Sequence, residues 1–225
     1  MPPGRRVDVR ERTLIKYRRA VDEDVTATVP CEYLDGDAHL VGNSMGATFL
    51  AKMAVDPDLR LQARSITLIS GGGFMPDNAA RRATLEYDCT REAMIKLLQA
   101  VFADPVWWTD DSYVDRRQKA ATEPGAWEAL AVARFRSPLE PLRAEFGQAD
   151  DTRYEDIHSP AMFIAGANDR LREPHYADGP ASRMPNARVV TLPGSGHCPN
   201  IEQASQVVEL LLGFLQGADG ADERG

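Results

Sequence analysis

Residues 38–46 read Ala38-His39-Leu40-Val41-Gly42-Asn43-Ser44-Met45-Gly46. The first part is a short apolar run with the signature of a buried strand. A sharp turn follows with a serine at its tip, and a helix is expected from Ala47 to Ala54. The pattern is G-x-S-x-G between strand and helix, the arrangement that presents a serine hydroxyl at the carboxyl end of a sheet. The glycines at 42 and 46 allow a tight bend and a close approach of helix to strand. A serine displayed in this way points to attack by an activated hydroxyl on a carbonyl.

Working outward, the helix over 45–55 is stopped by Asp56-Pro57. Ser65-Ile66-Thr67-Leu68-Ile69-Ser70 is a β-branched run closed by Gly71-Gly72-Gly73, which predicts a second buried strand. Between 76 and 145 the strands disappear. Helical spacing takes over in Arg91–Phe102, Asp111–Thr122 and Ala126–Phe135, punctuated by Pro105, Pro124 and Pro138. Strand–helix alternation resumes with strands over Ala161–Ala165 and Ala187–Leu192, a helix near His175–Met184, and a final amphipathic helix over Ile201–Leu215. Upstream, Val9–Val25 reads as a thin-faced helix carrying Leu14, Ile15 and Val21. Apolar strands alternating with helices imply an α/β fold with a mainly parallel sheet covered on both faces. The expected units are an atypical segment over 1–37, a core over 38–75 and 146–216, a helical cap over 76–145, and a disordered tail over 217–225.

In such sheets function gathers at the carboxyl ends of the strands. Ser44, Asp169 and His197 each follow a predicted strand directly. A serine hydroxyl needs a base to take its proton, and an imidazole base needs a carboxylate to fix its tautomer. The chain order Ser44, Asp169, His197 is that of the α/β-hydrolase fold. Among the four histidines, His39 lies within a strand and reads as packed, His158 sits in a Ser-Pro turn, and His175 opens a helix. His197 alone occupies a Gly-rich loop after a late strand, in Pro193-Gly194-Ser195-Gly196-His197.

Composition narrows the classes. The 225 residues suit one domain, with a net charge of −8 that disfavours a general nucleic-acid surface. No apolar run reaches the ~18 residues of a membrane span, and Met1–Arg6 is not followed by the apolar core of a signal peptide. Three scattered cysteines form neither a disulfide framework nor a metal-ligand pair, so a cytoplasmic location is expected.

From 38 to 216 the chain resembles the α/β-hydrolase superfamily. The resemblance is carried by Gly42-Asn43-Ser44-Met45-Gly46, Gly166-Ala167-Asn168-Asp169-Arg170 and Gly194-Ser195-Gly196-His197. Within it, the Asn43-Ser44-Met45 core and the cap resemble the meta-cleavage product C–C bond hydrolases, which cleave vinylogous 1,5-diketones formed by ring-opening of catechols. That likeness implies no cofactor and no metal, a small-molecule substrate and possible homo-oligomerisation. It implies Met45 N–H as an oxyanion donor and Asn43 as an orienting group. It also implies a cap arginine for the substrate carboxylate, at Arg117 or, one register away, Arg116. Phe102, Trp107 and Trp108 are candidate pocket walls. A plain ester, thioester or lactone hydrolase is the alternative of the same fold, and an impaired homologue or binding module the alternative outside it.

The chain departs from the family pattern in three places. Cys198 stands where an aromatic residue commonly follows the histidine, and Ala47 where glycine is common after the elbow. In front of the elbow the family has about four strands and a His-Gly loop that donates a second oxyanion N–H, and residues 1–43 contain no His-Gly pair. An upstream start, an altered N-terminus and a decayed paralogue each account for that.

Overall fold

The computed structural model describes residues 14–18, 24–28, 38–56, 63–126, 147 and 149–222. Four of its strands form one parallel sheet: β3 (His39–Asn43), β4 (Ser65–Ile69), β5 (Ala161–Gly166) and β6 (Ala187–Leu192), in that spatial order. The register pairs Leu40 with Ile66, Leu68 with Phe163 and Ile164 with Val190. The two inner strands β4 and β5 are buried at every position. This explains their unbroken apolar runs, because a parallel strand with both faces covered has no face to give to water.

Each face has its own core. On one, Ile66, Leu68, Ala161 and Phe163 pack with Ala47 and Ala51 of α1 (Met45–Ala54), Tyr154, Ile157 and Ala181. On the other, Ile69, Met162, Ile164 and Leu192 pack with Val207 and with Leu210, Leu211 and Phe214. The alternation along β4 and β5 sends successive side chains to opposite faces.

The segment between β4 and β5 supplies α2 (Ala79–Leu85), α3 (Arg91–Val101), α4 (Val106–Thr109) and α5 (Asp111–Thr122). Three of these starts carry a side-chain cap. Asn78 accepts from Arg81 N, Thr90 from Ala93 N, and Asp110 from Ser112 N and Tyr113 N, each satisfying a backbone donor the helix leaves unpaired. Met94, Leu98, Phe102, Val114 and Tyr87 form a third core within this helical layer. The helix expected over Ala126–Phe135 falls largely on residues outside the described ones.

Two expectations are corrected. Val9–Val25 is not a helix across its described part. Leu14–Arg18 (β1) and Asp24–Thr28 (β2) pair as an antiparallel hairpin, with Ile15 opposite Ala27 and Tyr17 opposite Val25. Ile, Tyr, Val and Thr favour strands, and the thin apolar pattern never gave a helix a face to bury.

The tail is not disordered from 217. After α6 (Asp178–Arg183) and the short α7 (Pro199–Glu202), the last helix α8 runs over Ala204–Asp222. Composition alone hid its anchor. Ala218 is buried, and Asp219 accepts from Arg64 Nη1 at 2.9 Å and lies 3.0 Å from His39 Nε2, which ties the helix end to the amino edge of the sheet.

Candidate active site

Ser44 stands between the last residue of β3 and the first of α1, with φ of 52°. A positive φ is uncommon and strained for a non-glycine residue. It is held by Ser44 N donating to Ile69 O at 2.7 Å on the strand side and Thr48 N donating to Ser44 O at 3.1 Å on the helix side. Gly42 makes the bend possible, since a Cβ there would stand 2.6 Å from Ala47 N and from the Gly46 carbonyl.

The hydroxyl of Ser44 lies 2.8 Å from His197 Nε2, and His197 Nδ1 lies 2.7 Å from Asp169 Oδ2. The other carboxylate oxygen, Oδ1, accepts from Leu171 N at 2.8 Å. With both oxygens engaged, the carboxylate is fixed in orientation. The Asp169 and His197 side chains are 3% and 6% exposed, so water does not compete for their hydrogen bond. These contacts suit a neutral imidazole with its proton on Nδ1 and its Nε2 lone pair aimed at the serine.

The three residues are 125 and 28 positions apart in the chain (44 to 169 and 169 to 197). The sheet brings them together because each follows a parallel strand, β3, β5 or β6, at the same edge. Asn168 couples the last two turns. Its N–H donates to Ser195 O at 2.8 Å, and its Oδ1 accepts from Gly194 N at 3.1 Å.

Met45 is the first residue of α1, so its N–H has no intrahelical acceptor and sits at the positive end of the helix dipole. Asn43 directs its side-chain amide to Ile69 O at 3.4 Å. Arg116 and Arg117 are both exposed on α5, with the Arg116 guanidinium 5.0 Å over the Tyr113 ring. Phe102 is buried and stacks on Trp107 with ring centroids 5.0 Å apart, and Tyr113 meets Trp107 edge-on at 4.9 Å. This aromatic group packs against Cys198, so helical layer and histidine loop are in contact.

A cavity of about 100 Å³ is lined by Asp169, Tyr176 and Thr191, and a shallow one of about 440 Å³ by Trp108, Lys96 and Arg170. Neither reaches Ser44 or His197.

A second Ser-His-Asp set lies at the opposite edge of the sheet. His39 Nδ1 is 2.7 Å from Ser65 Oγ and its Nε2 is 3.0 Å from Asp219 Oδ1. Here the nitrogens are used the other way round, and Ser65 is fully buried. It has no access to a substrate and acts as a packing latch. Residue types alone do not separate the two sets; strand direction does.

Sequence reading passed over the groups that brace the site. Tyr154 OH accepts from Gly73 N at 2.6 Å and donates to Asp150 Oδ2 at 2.8 Å, which fixes the glycine loop after β4. Burial and the Asp150 carboxylate push the Tyr154 phenol above its ordinary range, so it stays a neutral donor. Thr48 Oγ1 accepts from Gly72 N at 3.2 Å in the same loop. Buried Arg172 donates to the carbonyls of Ser70 and Phe74 at 3.3 and 3.1 Å. The only sequence signals were a tyrosine in a polar stretch and an arginine three residues after the turn aspartate.

Residues 3–210 match the alpha/beta hydrolase family, and the chain belongs to it. It is 24% identical over 184 residues to a 2-hydroxy-6-oxo-6-(2'-aminophenyl)hexa-2,4-dienoic acid hydrolase of Metapseudomonas resinovorans, covering 80% of this chain and 60% of that protein. It is 27% identical over 190 residues to the dihydrolipoyllysine-residue acetyltransferase component of an acetoin cleaving system of Pseudomonas putida, covering 82% of this chain and 47% of that one. Among solved structures, a meta-cleavage product hydrolase of Pseudomonas fluorescens IP01 superposes with a TM-score of 0.69 at 22% identity, covering 81% of this chain and 66% of that chain. The chain thus spans between about half and two thirds of the length of these relatives.

Proposed function

We propose that this protein is a serine hydrolase that cleaves a C–C bond in a 2-hydroxy-6-oxo-dienoate of the meta-cleavage type. The observation that carries the reading is the continuous hydrogen-bonded line from Ser44 Oγ through His197 to Asp169. The choice of substrate is supported by the dienoic acid hydrolase among the relatives.

In this reading the dienol substrate first takes up a proton at carbon and becomes the keto form. His197 Nε2 then takes the Ser44 proton as the hydroxyl, or a water it activates, adds to the remote carbonyl. The oxyanion faces Met45 N–H at the positive end of α1. Collapse breaks the C–C bond as His197 gives its proton to the departing dienolate, which leaves as the hydroxydienoate, and water, its proton taken by His197, then frees the acyl half as a carboxylic acid and restores the Ser44 hydroxyl. Asp169 holds the imidazole tautomer and offsets its charge in the transition state. Asn43 and the guanidinium of Arg117 orient the substrate, with Phe102 and Trp107 shaping the apolar side. In this reading the reaction needs no cofactor, and the protein acts in the cytoplasm.

The runner-up is ester or thioester hydrolysis by the same three residues. It is favoured by the exposure of Arg117 on α5, since that reading requires no carboxylate receptor. A dienoate substrate and a panel of aryl esters, each tried on the wild type and on Arg117→Ala, separate the two. Loss of dienoate cleavage with ester turnover kept supports C–C hydrolysis, and ester turnover alone supports the runner-up. An unreactive Ser44 toward a fluorophosphonate in folded protein overturns both.

A further inference from the structure

Glu202, at the end of α7, uses its two carboxylate oxygens on two different loops. Oε2 accepts from Gly196 N at 2.6 Å and Ser195 Oγ at 3.3 Å, in the loop that carries His197. Oε1 accepts from Ala103 N at 2.6 Å and Asp104 N at 3.2 Å, where the helical layer leaves α3. A carboxylate has four lone-pair positions, and here each has a donor. Hydrogen bonds to an ionised acceptor are also the stronger kind.

The two loops touch directly as well. His197 N donates to Val101 O at 2.7 Å. Gly196 is pressed so close to α3 that a Cβ there would stand 2.7 Å from both Ala103 N and Val101 O. The end of α3 and the backbone of the base therefore form one unit, with the Glu202 carboxylate at its centre.

We infer that Glu202 is a positioning residue that sets the His197 imidazole against Ser44 and couples the helical layer to it. This rests on the proposed catalytic role of Ser44 and His197. Movement of α3 when a substrate enters reaches the base through Val101, Ala103 and Gly196, and the carboxylate keeps these in register. Glutamine at this place keeps the shape but has a single acceptor oxygen. Its NH₂ group then faces the N–H donors of one loop or the other, and the unit opens on that side.

The test uses the full chain and Glu202→Gln. In the variant, the maximal rate constant for phosphonylation of Ser44 by a fluorophosphonate falls about 10- to 100-fold, the cost of a misplaced catalytic group, while the half-saturating probe concentration changes little. The downfield proton resonance of the His197–Asp169 hydrogen bond broadens or shifts. A variant that reacts at the wild-type rate, or keeps that resonance unchanged, overturns the inference.

If the variant does not fold, amide exchange in the wild type decides. Gly196, Ala103 and Asp104 amides that are slow and exchange together support the unit, and fast or unrelated exchange overturns it. A wild type that shows the downfield resonance but does not react with the probe removes the hydrolase reading alone. The resonance and the exchange data then still decide the role of Glu202.

Discussion

Gly42→Ala probes the elbow at its tightest point. The new Cβ would meet three backbone atoms of the first turn of α1, Ala47 N and the Gly46 carbonyl carbon and oxygen, all at 2.6 Å. Relaxed contacts of carbon lie at about 3.5–4.0 Å, so strand and helix must part by about 1 Å. No flexible side chain is available to absorb this, because all three atoms are backbone. Forced repacking of this kind costs about 1–3 kcal/mol, which for a chain of this length lowers Tm by roughly 2–12 °C. The displacement falls on Ser44 itself, whose φ of 52° is held by contacts to both elements. A shift of about 1 Å in a reacting group costs on the order of 100-fold in rate. The assay is fluorophosphonate labelling of Ser44 followed over time, with thermal unfolding of the same sample. Labelling at the wild-type rate together with an unchanged Tm would refute the strain argument.

Asp169→Asn should keep the fold and lower turnover by about 10⁴-fold, as loss of the tautomer-fixing carboxylate does in hydrolytic triads; steady-state kinetics with intact thermal unfolding checks it. Tyr154→Phe removes the acceptor of Gly73 N and the donor to Asp150 Oδ2 and should cost about 1–3 kcal/mol in a denaturant titration. Asp219 is held below the usual carboxylate range, first by its hydrogen bond from Arg64 and then by His39. Its contribution is therefore present above its unfolded pKa and is lost as pH falls through the folded one. Exchange of amides near the end of α8 should rise on acidification below about pH 4, and Asp219→Asn should abolish that change. Because Tyr154 is pushed up, the stability it provides should be complete below about pH 10 and disappear as pH climbs through its raised folded value. Thermal unfolding across alkaline pH, with Tyr154→Phe lacking that step, tests the assignment.

The chemistry-bearing segments were legible because each is local. An apolar run, a glycine-bounded serine, a turn aspartate and a glycine-rich histidine loop need only a few neighbouring residues to declare themselves. The strand runs of β4 and β5 were readable for the same reason, since a parallel strand covered on both faces has no position to give to water. The pairing of Leu14–Arg18 with Asp24–Thr28 and the end of α8 were not, because pairing register and a distant Arg64 and His39 decide them.

The sequence by itself thus determined the fold class and the order in which Ser44, Asp169 and His197 follow the strands. Only the tertiary structure decided which serine, histidine and aspartate are hydrogen-bonded in one line at the carboxyl edge of the sheet. Ser44, His197 and Asp169 meet at the carboxyl edge of the sheet, whereas Ser65, His39 and Asp219 meet at the other, with the serine sealed from water. Bracing by Glu202, Tyr154 and Thr48 likewise exists only after folding. Each joins segments that are remote in the chain, and a hydrogen bond across such a distance leaves no periodicity in the sequence.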